Sequence, residues 1–511
     1  MLQRNSFDIN GTQSFSDLLR REMDVMPDAA IHGSDGAVIT YAELQERSDT
    51  IRSTLPGPGQ RAEESIAICA AKTHDCLAAI LAVLATGRAY APLDPTHPTA
   101  RLTTILDDLH PSAVVVDAST EALLKPWAHA TGTPLIDLDL IAERDPCVAT
   151  LPVVSVQQDL AALLHTSGST GKPKRVEIEA HALNAFQGWV IDELSLRIDD
   201  CVMSHAPFAF DLSFLDIYAS LMSGAGLVLA DSKTARNGAR LCDLIQQAGV
   251  TVWHSAPSAL KLLAESAGDK VMPTMRCVLF AGEPMPARVL QRLFRIFPNA
   301  RFLNIYGCTE TNDTFFYEVP RENTPDPLPL GRKLPYVAFL LADADGAEIN
   351  GEGEGELWVS CPTMMRGYAD PELTTAVLAH RDGRSYYRSG DLVRRDAEGV
   401  IHFVGRVDTV VKLSGVRVDL NEVDFALASH PGVDEALSFV TYTSDGTVLN
   451  AWVTSHCDEL NSLDLRLHLM KTLPTPAIPR NFTVSLLPVP RNSNGKACRR
   501  LLAQTCESAA K

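Results

Sequence analysis

Nowhere is this 511-residue chain apolar for long enough to cross a membrane. Its longest such run, residues 76–87 (CLAAILAVLATG), falls far short of the ~18 residues a spanning helix needs and reads as a buried helix. The first residues (MLQRNSFDINGTQ) lack the apolar stretch of a secretory signal, so the cytoplasm is the expected compartment. The 11 cysteines form no CxxC pair, and their dispersal predicts reduced thiols in place of a disulfide framework or a zinc site. Positive charge is also scarce: 45 Lys and Arg stand against 63 Asp and Glu, a net charge of −18. That balance excludes the broad basic face of a bulk nucleic-acid binder. Internal repeats are missing, and low complexity is confined to residues 351–355 (GEGEG), which read as a loop entering a strand at 356–359.

Hydrophobic residues make up 46% of the chain and charged residues 21%, enough apolar side chain to bury a large core. Short aliphatic runs at 112–116, 226–230 and 276–280 alternate with amphipathic stretches such as 287–297. Such alternation predicts an α/β fold, with parallel-rich sheets covered by helices in a large N-terminal domain. From about residue 405 the pattern changes. A strand pair, a helix around 421–429 and strands near 436–440 and 449–453 predict a small C-terminal α+β domain. The expected division is 1–407 and 408–511. The prolines after 474 favour extended chain.

The densest chemical signal is TSGSTGKPK, Thr166 to Lys174. Two glycines, four hydroxyls and two lysines follow an apolar run, a composition that lets backbone N–H groups, hydroxyls and ammonium groups converge on phosphate. It is not a Walker A loop, because two residues separate Gly168 from Gly171 where that motif has four.

This loop resembles the phosphate loop of the adenylate-forming superfamily, which includes acyl-CoA synthetases, luciferases and nonribosomal peptide adenylation domains. Further motifs of that superfamily follow in order: AYAPLDP (89–95), FDLS (210–213), NIYGCTE (304–310), GELWVS (355–360), YRSGDL (387–392), GRVDTVVKLSGVRVDLNEVD (405–424) and NSNGK (492–496). The resemblance implies ATP and Mg²⁺, with attack of a carboxylate on the α-phosphate to give an acyl-adenylate. It implies that the small domain is mobile. It assigns ATP binding to Thr166, Ser167, Gly168, Ser169, Thr170, Gly171, Lys172 and Lys174 of the loop. Gly282, Glu283, Asn304 and Gly307 join that ATP site, Tyr306 offers a ring to adenine, Asp391 takes the ribose hydroxyls and Arg406 adds a nucleotide contact. Thr309 contacts phosphate, Glu310 is the Mg²⁺ ligand and Lys496 bridges carboxylate and α-phosphate. Asp408 falls at the hinge. Gly415 lines a channel for a thiol arm, or is a turn in a hairpin. Arg175 and Cys308 depart from the superfamily's usual residues without replacing a charged or metal-binding group.

Asp211 resembles the aspartate that pairs with the α-ammonium of amino-acid substrates; its alternative role is a helix N-cap. The resemblance sets Leu212, Leu215, His254, Leu279, Ala281, Ile305, Asp313 and Thr314 around the substrate, with a one-residue slip exchanging His254 for Trp253. The aliphatic members resemble stand-alone prolyl ligases, while His254 and Asp313 either pair with each other or meet a polar side chain. The expected reaction is activation of a small amino acid, proline-like or polar, and thioester formation on the phosphopantetheine arm of a separate carrier protein. No nucleic-acid or membrane partner is expected. D-alanine–carrier or L-alanine–carrier ligases, and acyl-CoA or aryl-acid ligases of the same fold, are the alternatives. The short tail after Lys496 holds no carrier motif, and Arg491, Arg499 and Arg500 are candidate basic contacts for an acidic carrier.

Overall fold

The computed structural model describes residues 14–57, 64–142, 160–167, 173–407, 409–443, 446–455, 460–491, 499 and 501–503. Strand-forming runs separated by helices can pair in parallel, and here they form two parallel-rich sheets. A nine-stranded sheet runs in the order Arg332–Lys333, Asn312–Glu318, Arg301–Cys308, Cys277–Ala281, Val252–Ser255, Cys201–Ser204, Gly226–Leu229, Ala30–Gly33, Val38–Thr40. Its six central strands are parallel and its edges antiparallel. A seven-stranded sheet carries Leu160–Thr166 and Lys174–Glu179, which flank the phosphate loop, beside Ala89–Pro92 and Ser65–Cys69. A third, antiparallel sheet contains Gly353–Ser360 and Arg384–Arg395. Central parallel strands are buried on both faces, which is why they read as unbroken apolar runs.

The helices follow local signals. Residues 76–87 supply most of helix His74–Leu84, whose Thr73 side chain accepts from Cys76 N and caps the start. Cys76 to Leu84 are all buried, as their composition requires. Helix Leu212–Ser223 is buried at every position from Ser213 onward and ends at Gly224, with φ +74°. A Cβ there would lie 2.7 Å from the Met26 side chain, so glycine serves both conformation and packing. One boundary differs from expectation: the strand at GEGEG begins at Gly353, inside the glycine-rich stretch, because its register continues against Arg395 and Arg394.

By contacts the chain separates into two compact units. The first comprises 1–95, 109–164 and 175–405. The second holds residues from Arg406 onward together with 96–108 and 165–174, whereas the sequence pattern alone divides the chain at 407/408. In this second unit helix Leu420–Ala428 packs with a three-stranded sheet of Glu435–Thr443, Gly446–Thr454 and Asn481–Ser485. Arg101 Nη1 meets Glu422 Oε1 at 2.6 Å, both side chains buried. Two of the candidate carrier-facing arginines are held internally, Arg491 by Glu435 and Arg499 by Asp424, each at 2.5 Å. Arg500 lies outside the described residues. No helix among the described residues is long and apolar enough to cross a membrane.

Candidate active site

The C-terminal ends of the parallel strands collect most of the predicted residues, as open α/β sheets favour. Strand alternation resolves the Trp253/His254 ambiguity. His254 is in register with Leu279, and Leu279 with Leu303, while Trp253 pairs with Val278. Leu279, Ala281, Ile305 and Leu215 belong to one hydrophobic cluster; Trp253, Val278 and Phe280 belong to another. Side chains one residue apart on a strand face opposite ways, so His254 shares the face of Leu279.

Helix Leu212–Ser223 and its cap carry three more of the predicted substrate residues. Asp211 is its N-cap, with Oδ1 accepting from Leu212 N at 3.0 Å, and is half-buried; Leu212 is also half-buried and Leu215 buried. Asp211 thus occupies the helix N-cap, the alternative role that the sequence offered. Asp313 is buried, opposite Gly307 in the hairpin of Arg301–Cys308 and Asn312–Glu318. Thr314 Oγ1 donates to Tyr306 O at 3.2 Å. A Cβ on Gly307 would lie 2.1 Å from Asn312 O, so the tight return of this hairpin excludes any other residue.

The nucleotide-type residues form two carboxylate–tyrosine pairs. Tyr306 donates its hydroxyl to Asp391, and burial together with the Asp391 charge holds that hydroxyl well above its ordinary pKa, so it stays protonated. Ser389 Oγ accepts from Asp391 N at 3.0 Å while donating to Leu357 O at 2.6 Å, which fixes the bulge at Ser-Gly-Asp inside strand Arg384–Arg395. Tyr368 Oη donates to Glu310 Oε1 at 2.6 Å, with Glu310 fully buried. Thr309 is half-buried beside it, preceded by Cys308, whose Sγ lies 3.3 Å from Thr311 Oγ1. Two predicted ATP residues already have structural bonds: Asn304 Nδ2 donates to Pro329 O at 2.8 Å, and Glu283 accepts from Ser258 N at 3.2 Å in the first turn of helix Pro257–Ser266. Gly282 follows its strand with φ +94°.

In the second unit, Thr166 ends its strand, Ser167 Oγ donates to Arg417 O, and Lys174 opens the strand after the phosphate loop. Arg406 ends strand Ile401–Arg406. Ser414 and Gly415, with φ +51° and +78°, make the turn between Val410–Leu413 and Val416–Asp419, so Gly415 is required as a hairpin residue. Gly168, Ser169, Thr170, Gly171, Lys172, Asp408 and Lys496 lie outside the described residues.

Residues 19–369 match the family described as AMP-binding enzyme. This chain belongs to that family. Among its relatives is an L-proline–[L-prolyl-carrier protein] ligase of Streptomyces coelicolor, 34% identical, the alignment covering 93% of each chain. A ligase of the same description from Pseudomonas fluorescens is 33% identical over 92% of this chain and 94% of its own. A solved Vibrio cholerae adenylation domain, AlmE, in complex with glycyl-adenosine-5'-phosphate, shares the fold with TM-score 0.81, 22% identity and coverage of 99% and 100%. The AMP-binding enzyme is thus an AMP-forming ligase with a large α/β region and a smaller C-terminal one.

Among the described residues of this AMP-binding enzyme, no three His, Cys, Asp or Glu side chains form a metal cage. Mg²⁺ needs no such cage when phosphates complete its shell, and one oriented carboxylate such as Glu310 fits that requirement. Four side chains with evident roles escape the sequence reading. Tyr368 orients Glu310, whereas the motif reading placed nothing opposite that carboxylate. Lys72, Ser204 and Asp216 gather in the interior, Lys72 Nζ donating to Ser204 O at 2.8 Å and its charge acting on Asp216; an Asp inside the otherwise apolar stretch after FDLS is the signal that marks them.

Proposed function

We propose that this enzyme activates a small amino acid, proline-like or bearing a polar side chain, and loads it on the phosphopantetheine thiol of a carrier protein. The observation that carries this reading is Asp211, a half-buried carboxylate at the start of the helix whose Leu215 shares an apolar cluster with Leu279, Ala281 and Ile305. A partly buried carboxylate selects a substrate with an α-ammonium, because an acid without the amine brings no positive charge to offset the desolvation it imposes. Two relatives described as prolyl-carrier ligases, each about a third identical, support the amino-acid class and the carrier partner.

In this reading Asp211 holds the α-ammonium and orients the substrate carboxylate toward ATP. Asp391 receives the ribose hydroxyls, its carboxylate aligned by Tyr306, and Arg406 adds a nucleotide contact. Thr309 and the loop from Thr166 to Lys174 bind phosphate, and Lys496 bridges carboxylate and α-phosphate. Glu310 is the residue that would hold Mg²⁺, which would supply positive charge beside the phosphates when bound. The carboxylate oxygen bonds the α-phosphorus as the bond to pyrophosphate breaks, leaving aminoacyl-AMP. The region after Asp408 then turns about that hinge, Gly415 leaves room for the thiol arm, and the thiol sulfur displaces AMP. Groups placed in advance where charge develops account for most of such a barrier reduction.

Amino-acid-dependent ATP–pyrophosphate exchange tests this, using proline, hydroxyproline, serine, both alanines, diamino acids and aryl acids. One amino acid should support exchange, and Lys496→Ala should lower it by about 100-fold or more, the scale of losing a positioned charge in transfer. Exchange with aryl or fatty acids alone refutes the role of Asp211.

A further inference from the structure

Two of the arginines that the sequence offered to an acidic carrier are engaged inside the C-terminal unit, Arg491 by Glu435 and Arg499 by Asp424. The first unit presents a different basic surface. Between Asp231 and Asp243 the chain holds no acid but carries Lys233, Arg236 and Arg240, in a protein with 63 acidic residues against 45 basic ones. All three are exposed, and among the described residues none of the three side chains has an ion-pair or hydrogen-bond partner. The acids that bound the stretch are engaged. Asp231 accepts from Thr234 N at 2.7 Å and caps helix Ser232–Ala235, while Asp243 meets Lys270 at 2.7 Å. Asp35 follows Ser34, whose hydroxyl accepts from Asp231 N at 2.9 Å, and itself accepts from Ala37 N at 3.0 Å.

The place of these cations in the fold is fixed. Strand Gly226–Leu229 lies beside Cys201–Ser204 in the nine-stranded sheet, and the basic stretch begins just past its C-terminal end. Asp211 and Glu310 follow their own strands at that same edge. His205, on the segment leading to Asp211, donates from Nε2 to Ala235 O at 3.1 Å and accepts from Ser255 Oγ at 3.0 Å, which pins helix Ser232–Ala235 to the site. Helix Gly238–Ala248 is pinned as well, since a Cβ on Gly238 would lie 2.3 Å from Leu262 O in helix Pro257–Ser266. Stability does not explain the charges. Arg240 stands in the first turn of its helix, behind the Asn237 cap, where the helix dipole favours an acid.

We propose that Lys233, Arg236 and Arg240 form the docking surface for the acidic face of the carrier protein, holding it at the sheet edge where the aminoacyl-adenylate forms. This rests on the carrier-loading reading above. A chain of net charge −18 repels an acidic partner from a distance, so a local patch of opposite sign is what orients the encounter. No large apolar side chain is exposed between residues 226 and 248, which leaves a small polar contact. Such a contact suits a partner that must depart once it is loaded. The pinned backbone holds the three cations in place before the carrier arrives, so little order is lost on docking.

The test follows thioester formation by the full-length enzyme on the phosphopantetheine-bearing prolyl carrier of Streptomyces coelicolor, with free pantetheine as a thiol that lacks the acidic body. The carrier should exceed pantetheine in kcat/KM by more than about tenfold, and its advantage should fall as salt rises. Arg236→Glu/Arg240→Glu should lower kcat/KM for the carrier by about tenfold or more and flatten its salt dependence. Transfer to pantetheine and ATP–pyrophosphate exchange should stay unchanged, and the variant should melt no lower than the parent because Glu suits the first turn at 240. Arg292→Glu/Arg295→Glu makes the same charge change on the later turns of helix Ala287–Ile296, which lead back toward the opposite edge of the sheet. That control should load the carrier almost as the parent does.

Loading that is indifferent to Arg236→Glu/Arg240→Glu overturns the proposal, as does an equal loss in the control, which marks a bulk charge effect. A fall in pyrophosphate exchange overturns it too, by assigning the patch to the first step. So does a parent dimer in sedimentation that the variant dissolves, since the patch then serves a second copy, and so does a carrier no better than pantetheine. Exchange without thioester on either thiol refutes the carrier-loading reading itself, a result separate from all of these.

Discussion

Asp200→Asn is the perturbation whose size follows most directly from the coordinates. Asp200 accepts from Arg276 Nε at 2.6 Å, Arg276 Nη2 at 2.7 Å, Thr251 Oγ1 at 2.8 Å and Arg197 N at 2.9 Å. Arg276 Nη1 also donates to Leu194 O at 2.8 Å. Asp200, Thr251 and Arg276 immediately precede three neighbouring parallel strands, so this knot ties their N-terminal ends together, opposite the ends that carry the site. The Asp200 side chain is 2% exposed and that of Arg276 27%. Breaking a buried pair from one side costs about 3–5 kcal/mol, and asparagine keeps the volume and some neutral bonds, so about 3 kcal/mol is expected.

The pH dependence sharpens this test. Burial pushes the Asp200 carboxyl up, but bonds from Arg276, Thr251 and Arg197 outweigh it and hold the group below the ordinary 3.8. A depressed carboxyl adds stability that is complete above its unfolded value and is lost as pH falls through its folded value. Thermal and urea unfolding at neutral pH should therefore show the full deficit in Asp200→Asn, and the deficit should shrink in the acid range below 3.8. Exchange activity per folded molecule should be unchanged, since the knot lies at the far ends of the strands. A neutral-pH deficit under about 0.5 kcal/mol, the ordinary scatter of surface substitutions, refutes the assignment. So does a deficit that stays constant into acid.

Tyr306→Phe removes the hydroxyl that aligns Asp391 and should raise the KM for ATP about tenfold with little change in the KM for the amino acid, measured by pyrophosphate exchange. Gly307→Ala drives a Cβ to 2.1 Å from Asn312 O, so the hairpin carrying Glu310 and Asp313 should shift and exchange activity should fall by more than about tenfold; near-normal activity would show that the turn relaxes freely.

The nucleotide-type motifs could be picked out as candidates because each is a short run: YGCTE spans the end of strand Arg301–Cys308 and the return after it, and YRSGDL lies inside strand Arg384–Arg395. The buried helix at 76–87 and the aliphatic strands were equally readable, since parallel strands and internal helices tolerate little else. Single-residue geometry was not readable in this way. A period-two strand turns a one-residue slip into a change of face, and only pairing with Leu279 placed His254, and not Trp253, on the Leu279 face.

Composition, motif order and spacing by themselves determined the α/β class and the AMP-binding family. Tertiary structure alone decided the partners. Tyr306 meets Asp391 across 85 residues, Tyr368 meets Glu310 across 58, and Arg276 meets Asp200 across 76. Lys72, Ser204, Asp216 and His254 come together in the interior from distant parts of the chain. Local sequence fixes which strands and helices form, but the sheet's order and register set which of them are neighbours. Those follow from burying apolar faces over the whole chain, and no window of sequence contains them.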